Sequence, residues 1–532
     1  MRIPLLLYLL ALAVRVVLIA AFPDPAYPDA FYYVDVARAL DAGRGFEVDF
    51  VWIFPEVGGT IPADPVLPIP SNAHWMPLAS IVQLPFLAVF GPVAWASAAP
   101  FALIGAFAAP LTWAIASDAG TRPLVAFGAG VLTAIPVLST VYMVQPDNFS
   151  LFQPLVAAAL WMTARGLRGH PRSFLAAGLL AGVATLSRND GVLVLATLAL
   201  AVAWDRWRSW RSGGGRLAAI PWAVAAGAVG LFVLVLAPWW MRQLAVFGSI
   251  SPSTASGKVL FIREISEWNS ITIPASLDHL LGMGPAALLA TRVGGLVAAV
   301  MIYTTLVAGF VLAPFMVIGG WARRRSVDFG PFLAYAALLF GFSAIVSAVH
   351  VPGGTFIHSA VALAPHSYIL ALQGIALAVA WVARRRSHWD SEQALRVFIG
   401  GALLLAIGSA AAGAAAVHGS WADKRDRAIA VGAALDEAGA ATTDRVMSID
   451  AAGMRYWTGR GGVVLVNDPL DTVAEVAAAY DIRWLVLERD DSVASAAPIL
   501  DDNRPAWVGE PVLERGQPVE LGVYPIEVEV IR

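Results

Sequence analysis

No cysteine occurs anywhere in the chain. Disulfides and thiolate metal sites are therefore excluded, and cysteine usage says nothing about the compartment of any exposed part. Charge is scarce too: 14% of residues are Asp, Glu, Lys or Arg and the net charge is -3, so there is no general attraction to nucleic acid. Internal repeats are absent, and low complexity is confined to Gly213-Gly214-Gly215 and an Ala-rich stretch near residue 410. The short connections that gather Arg hold no glycine-rich phosphate loop, which argues against a nucleotide-bound substrate. What remains is apolar. The chain is 58% hydrophobic with 19 Trp and 24 Phe, and its mean hydropathy of +0.69 lies outside the soluble globular range.

Apolar stretches of roughly 17 to 25 residues match the thickness of a bilayer core, and about eleven of them recur between charged breaks. The clearer ones run near 3–22, 94–117, 122–143, 149–164, 217–240, 294–320, 330–350, 360–383 and 396–417. Ser173 to Ala203 reads as two more, meeting at Ser187-Arg188-Asn189-Asp190. The sequence thus predicts a mainly α, polytopic membrane helix bundle over 1–417, followed by a small α/β domain over 418–532. In that domain helix 423–438, strands Arg445–Ile449, Val463–Val466 and Arg483–Leu487, and helix 470–480 alternate.

Orientation follows from Arg. The clusters Arg165/Arg168/Arg172, Arg206/Arg208/Arg211/Arg216, Arg323–Arg325 and Arg384–Arg386 fall in every second connection, and short Arg-rich loops stay in the cytoplasm. The N-terminus is then inside, and the C-terminal domain and the loops 23–76 and 241–293 are outside a multi-pass cell membrane protein. This parity needs Met76 to Phe90, short and interrupted by Gln83 and Pro85, to be an interfacial helix. Arg15, in the middle of the first apolar run, argues against a cleaved signal peptide.

The outward loops hold the polar groups. Asp29 opens a short helix containing Phe31, Tyr32 and Tyr33, where a carboxylate either caps the helix or keeps an oxygen free for chemistry. Asp147 follows the third span and Arg188, with Asp190, follows the fifth. Such charges often merely mark helix ends, so their shared side is the stronger signal. The loop from Arg242 to Arg292 adds Lys258, Arg263, Glu264, Glu267 and His279, and His350 and His358 flank a Gly-Gly turn on the same side. No cofactor is firmly implied. The separation of the two histidines does not match a metal-ligand spacing, so no metal site is assigned.

In order, Val36-Ala37-Arg38-Ala39-Leu40-Asp41-Ala42-Gly43-Arg44-Gly45-Phe46, His74-Trp75-Met76-Pro77-Leu78, Gln145-Pro146-Asp147, Leu186-Ser187-Arg188-Asn189-Asp190-Gly191 and Pro238-Trp239-Trp240-Met241-Arg242 resemble a C-type integral-membrane glycosyltransferase. The resemblance is to the protein O-mannosyltransferase and aminoarabinose transferase superfamily, and it covers most of the membrane part. It implies a sugar donor linked through phosphate to a polyprenyl lipid, an acceptor hydroxyl on a protein, glycan or lipid, and direct transfer with inversion. Asp29 is then the catalytic carboxylate and Asp147 its acidic partner. Arg188 binds the donor phosphate, with Arg242, Lys258 and Arg263 as further cations, and Tyr32, Tyr33, His74, Asp190 and His358 line the substrate site. One departure is Ala30, where many relatives carry a second acid. A transporter or flippase, whose charges would lie inside spans, and a non-enzymatic scaffold are the competing classes.

Overall fold

The computed structural model describes residues 2–531 apart from 53, 213–217, 387 and 492. The glycine linker and Arg216 thus lie outside the described residues. Among the described residues six helices are long and apolar enough to cross a membrane: Arg2–Ala21, Ala94–Asp118, Trp222–Phe247, Pro285–Val307, Thr355–Ala383 and Ser391–Glu437. A seventh is the pair Pro123–Ala134 and Val137–Val144, bent by 52°. The expected eleven therefore include segments that fall short on length or apolarity. Arg172–Ser187 has 16 residues, and at ~1.5 Å per residue such a helix is shorter than a ~30 Å hydrocarbon core. Phe149–Leu167 is longer but carries Ser150, Gln153, Thr163 and Arg165. The segment 76–90 is not a continuous helix: Leu78–Ile81 and Leu84–Phe90 meet at Gln83, whose amide donates to the carbonyls of Tyr33 and Ala79.

Helices cross closely where side chains are small. A Cβ on Gly319 would sit 2.0 Å from the Leu370 carbonyl oxygen, and one on Gly374 2.0 Å from that of Phe315, so this helix pair packs backbone to backbone. At one end of the bundle Arg168 pairs with both Asp118 and Asp328. Asp147, Arg188 and His358 lie together at the other.

The boundary expected at 417/418 is not a break. Ser391–Glu437 is one helix of 47 residues, about 70 Å at 1.5 Å per residue and so twice the depth of a bilayer core. The stretch from Ala410 to Ala416 explains the continuity, because alanine has the highest helix propensity and no proline interrupts it. The second half of this helix packs on a mixed sheet whose spatial order is Phe50–Val51, Gly462–Val464, Arg445–Ser448, Ile482–Glu488, Leu521–Pro525, Leu513–Arg515. The first three pairings are parallel and the last two antiparallel. The expected strands and the helix Leu470–Ala479 are present, and Ala451–Thr458 is an additional helix.

The edge strand Phe50–Val51 comes from the first long loop, not from the C-terminal segment. Helix Pro28–Asp41 docks beside it on helix Ala451–Thr458. Arg455 pairs with Asp49 at 2.7 Å and Asp35 at 3.5 Å, the Tyr456 ring lies under the Arg38 guanidinium and against Phe31, and the Tyr456 hydroxyl donates to Asp24 at 3.2 Å. The junction is tight enough to exclude a methyl group. A Cβ on Gly462 would lie 1.7 Å from the Val446 carbonyl oxygen, and one on Gly461 2.1 Å from that of Asp49. Gly462→Ala is expected to destabilise the sheet by about 3 kcal/mol, the upper range for overpacking. Thermal unfolding in detergent checks this, and an unchanged midpoint would contradict the packing described.

Candidate functional site

Asp29 occupies the first turn of helix Pro28–Asp41 but does not cap it; the N-cap is Tyr27 and no side chain caps the helix. Its Oδ1 instead accepts the indole N–H of Trp75 at 2.6 Å. Asp147 is fully buried in the turn between Val137–Val144 and Phe149–Leu167. It accepts from the Tyr27 hydroxyl at 3.0 Å and from the backbone N–H of Asn148 at 2.5 Å. The Asn148 amide reaches the Tyr33 hydroxyl at 3.4 Å. His358, from the first turn of the span Thr355–Ala383, sets Nδ1 3.4 Å from Asp147 Oδ2 and stacks on Phe149 at 4.2 Å.

Arg188 ends helix Arg172–Ser187 and holds Asp190 through Nε at 3.0 Å; Ser359 donates to the other Asp190 oxygen. The Asn189 amide donates to the His74 carbonyl at 2.9 Å, and His74 Nδ1 meets the Ser253 hydroxyl at 2.7 Å. Asp29, Asp147, Arg188, Tyr33, Asp190 and His358 are thus gathered from four separate segments at one end of the bundle.

Burial and mutual repulsion shape the charges. Withdrawal from water raises the Asp29 carboxyl above its usual range, against the Trp75 hydrogen bond and the Arg188 charge. Burial and the neighbouring Asp29 push Asp147 up to about 8, as expected for two carboxyls sharing one dry site. Burial opposes the Arg188 charge, but Asp190, together with Tyr33 and Asp147, more than offsets it and raises the guanidinium above its usual value. Burial, with His350 and Arg188 nearby, lowers His74 to about 3, so its imidazole is neutral.

Other expected site residues have different partners. Tyr32 donates to Glu56 at 2.9 Å and accepts from the Asn72 N–H at 2.7 Å, which ties it into the first loop. Arg242 bonds Gln243 at 2.7 Å and the Phe46 carbonyl at 3.3 Å, and lies over the rings of Phe46, Trp239 and Phe247. Lys258 donates to the carbonyls of Ser270 and Ile273, and Arg263 to that of His279 at 2.6 Å. Neither of these two cations has a hydrogen bond to the Asp29, Asp147 and Arg188 group among the described residues.

His350 and His358 do not form a pair: His350 Nε2 meets the Val259 carbonyl at 3.1 Å. A different donor set converges, since ligand atoms of Asp29, Asp147 and His358 all lie within 4.8 Å of one another. His358 Nδ1 is buried without a hydrogen bond. Two carboxylates and one imidazole suit a divalent cation such as Mn²⁺ or Zn²⁺, so these residues fit a metal that sequence spacing could not reveal. Sequence reasoning also missed Tyr27 and Trp75 as partners of the two acids. Trp75 stands in the His74-Trp75-Met76 motif, which gave its presence but not its contact.

The model of the family described as dolichyl-phosphate-mannose-protein mannosyltransferase matches residues 74–241. No curated protein sequence matches the chain significantly. Among solved structures, ArnT from Cupriavidus metallidurans bound to undecaprenyl phosphate superposes with a TM-score of 0.55 at 14% identity, over 98% of this chain and 97% of that one. The oligosaccharyltransferase of Archaeoglobus fulgidus superposes with 0.55 at 12% identity, over 92% and 69% respectively. The same enzyme tethered to an acceptor peptide gives 0.57 at 14% identity. In fold, and over residues 74–241 in sequence, this chain resembles the C-type integral-membrane glycosyltransferases.

Proposed function

We propose that the chain transfers a sugar from a polyprenyl-phosphate donor to an acceptor hydroxyl, at the outer face of a cell membrane it crosses about eleven times, with inversion at the anomeric carbon. The observation that carries this reading is the meeting of Asp29, Asp147 and Arg188 in one largely buried group, with Asp147 fully buried and the other two partly so. A phosphate-linked sugar already has a good leaving group, so the reaction needs a base for the acceptor and positive charge for the departing phosphate. Asp29 is the base. A carboxylate whose proton affinity is raised by burial is a better proton acceptor than one in water. Arg188, whose Nε holds Asp190 and whose terminal nitrogens have no hydrogen bond among the described residues, stabilises the phosphate in surroundings of reduced dielectric. Tyr33 and His74 border the sugar, and Arg242 stands at the edge. A divalent cation held by Asp29, Asp147 and His358 would, when bound, keep both carboxylates ionised side by side and add charge next to the transferring sugar.

The undecaprenyl phosphate bound by the Cupriavidus relative supports a lipid-linked donor for this chain. The test is transfer of label from a panel of polyprenyl-phosphate sugars by the purified protein in liposomes; no transfer from any member would overturn the proposal. Arg188→Ala is expected to weaken donor binding roughly 100-fold, the worth of a charge-assisted phosphate contact of about 3 kcal/mol. Arg263→Ala, whose partner is a backbone carbonyl within its own loop, should change donor binding less than threefold. Equal effects of the two would remove Arg188 from the phosphate site.

A further inference from the structure

Two neighbouring residues of the C-terminal segment, Asn467 and Asp468, fasten the long loop that precedes Pro285–Val307. Asp468 is 4% exposed. One of its oxygens accepts from the Ser270 hydroxyl at 2.7 Å, the Thr272 N–H at 3.3 Å and the Thr272 hydroxyl, and the other from the Ile271 N–H at 2.8 Å. Asn467 bonds the same loop one step earlier. Its amide donates to the Ser266 carbonyl at 3.0 Å and its backbone N–H to that of Asn269 at 3.3 Å. Lys258 closes the knot from within the loop through the carbonyls of Ser270 and Ile273.

Trp268 lies in the middle of the fastened stretch. Its ring stands edge-on between two histidines, 5.3 Å from His74 and 4.9 Å from His350. His74 in turn stands edge-on to Trp75 at 4.8 Å, and Trp75 is the donor that holds Asp29. The His74 carbonyl also receives the Asn189 amide, next to Arg188. Asp468 holds Ser270 to Thr272, two residues of backbone beyond Trp268, and ring contacts run from Trp268 through His74 and Trp75 to both poles of the reacting site.

We infer that Asp468 is a positioning residue for the transfer reaction: it seats Trp268 against His74 and so fixes the hydrogen bond from Trp75 to Asp29. The inference rests on the proposed function for its kinetic readout but not for its structural one. A carboxylate that accepts four hydrogen bonds from three successive residues holds their backbone in one conformation, and without it the free N–H and hydroxyl groups turn to water. A misplacement of about 1 Å at a reacting group costs on the order of 100-fold in rate. Acting through three rings, loss of Asp468 should therefore lower kcat about tenfold.

The test compares Asp468→Ala, Trp268→Ala and the double variant of the full chain. Each single change is expected to lower kcat roughly tenfold with KM for the donor within threefold, and the double variant should be no worse than either one, because both break the same relay. Asp468→Asn, which keeps one accepting oxygen, should recover part of the loss. Losses that multiply in the double variant, or a kcat for Asp468→Ala within twofold of wild type, would overturn the inference. Hydrogen exchange reads the positioning without activity: Asp468→Ala should speed exchange at Ile271 and Thr272, and the change should extend to residues 74 and 75. Exchange confined to the loop would also overturn it. Should Asp468→Ala not fold, Ser270→Ala combined with Thr272→Val removes only the two partner hydroxyls and takes its place. If the wild type transfers no sugar yet exchange spreads to residues 74 and 75, the proposed function fails and the positioning stands.

Discussion

Asp29→Asn is expected to leave about one-thousandth of the wild-type transfer rate, the middle of the range for loss of a general base and about 4 kcal/mol of barrier. The substitution is nearly isosteric, and the asparagine carbonyl can still accept the Trp75 indole that Asp29 holds at 2.6 Å. Structure and donor affinity should therefore change little, and the loss should fall on kcat. Removing one of two crowded acids also relieves the repulsion that pushes Asp147 up, so the folded variant should melt no earlier than wild type. Single-turnover transfer from a pre-bound donor measures the effect. A rate within tenfold of wild type would assign the proton to another group. Repeating the assay with added Mn²⁺ separates a weakened metal site from a lost base, because only the former is restored by excess metal.

Truncation after Ala438 should abolish activity altogether, for a reason that lies in the first loop. The strand Phe50–Val51 has its parallel partner in Gly462–Val464, and Phe50, Val51 and Phe54 are fully buried in a core shared with Val463, Leu465 and Tyr480. Arg455 and Tyr456 hold the helix that carries Asp29, and Asp468 holds the second loop. Without residues 439–532 the exposed aromatic side chains would each lose roughly 2 kcal/mol of burial, and the loop would no longer present Asp29 to Asp147. Expression and size-exclusion profiles should show an aggregating protein, whereas Gly462→Ala should give a milder form of the same defect. An active, monodisperse truncated protein would show that the first loop folds without its partner strand. It also follows that inactivity of such a truncation says nothing about acceptor binding by the removed segment.

Several features are legible in the sequence alone. The helical character, the placement of most helices, and the pairing of Asp147 with the end of one apolar segment and Arg188 with the end of another follow from hydropathy and from residues that break it. The C-terminal strands followed from short β-branched runs such as Val463-Val464-Leu465-Val466. Misreadings cluster where local pattern meets a long-range partner. Phe50–Val51 is only two residues long and has no alternation to betray it, and its strand state depends on Gly461, whose missing side chain lets the Asp49 backbone approach. Lys258 reads as a phosphate ligand because a cation in a long loop has no other sequence signature, yet its ammonium fastens two carbonyls.

The sequence by itself determined the solvent of this protein and the kinds of charge its connecting loops could offer, because transfer free energies are properties of residues and add along a segment. Only the tertiary structure decided which of those charges meet. Asp29, Asp147, Arg188 and His358 lie far apart in the chain, and their convergence depends on how the helices pack and on a two-residue strand borrowed from the first loop. Periodicity reports which face of a helix is apolar; it holds no information about the azimuth at which one helix end meets another, and that angle is what makes a pair of carboxylates into a site.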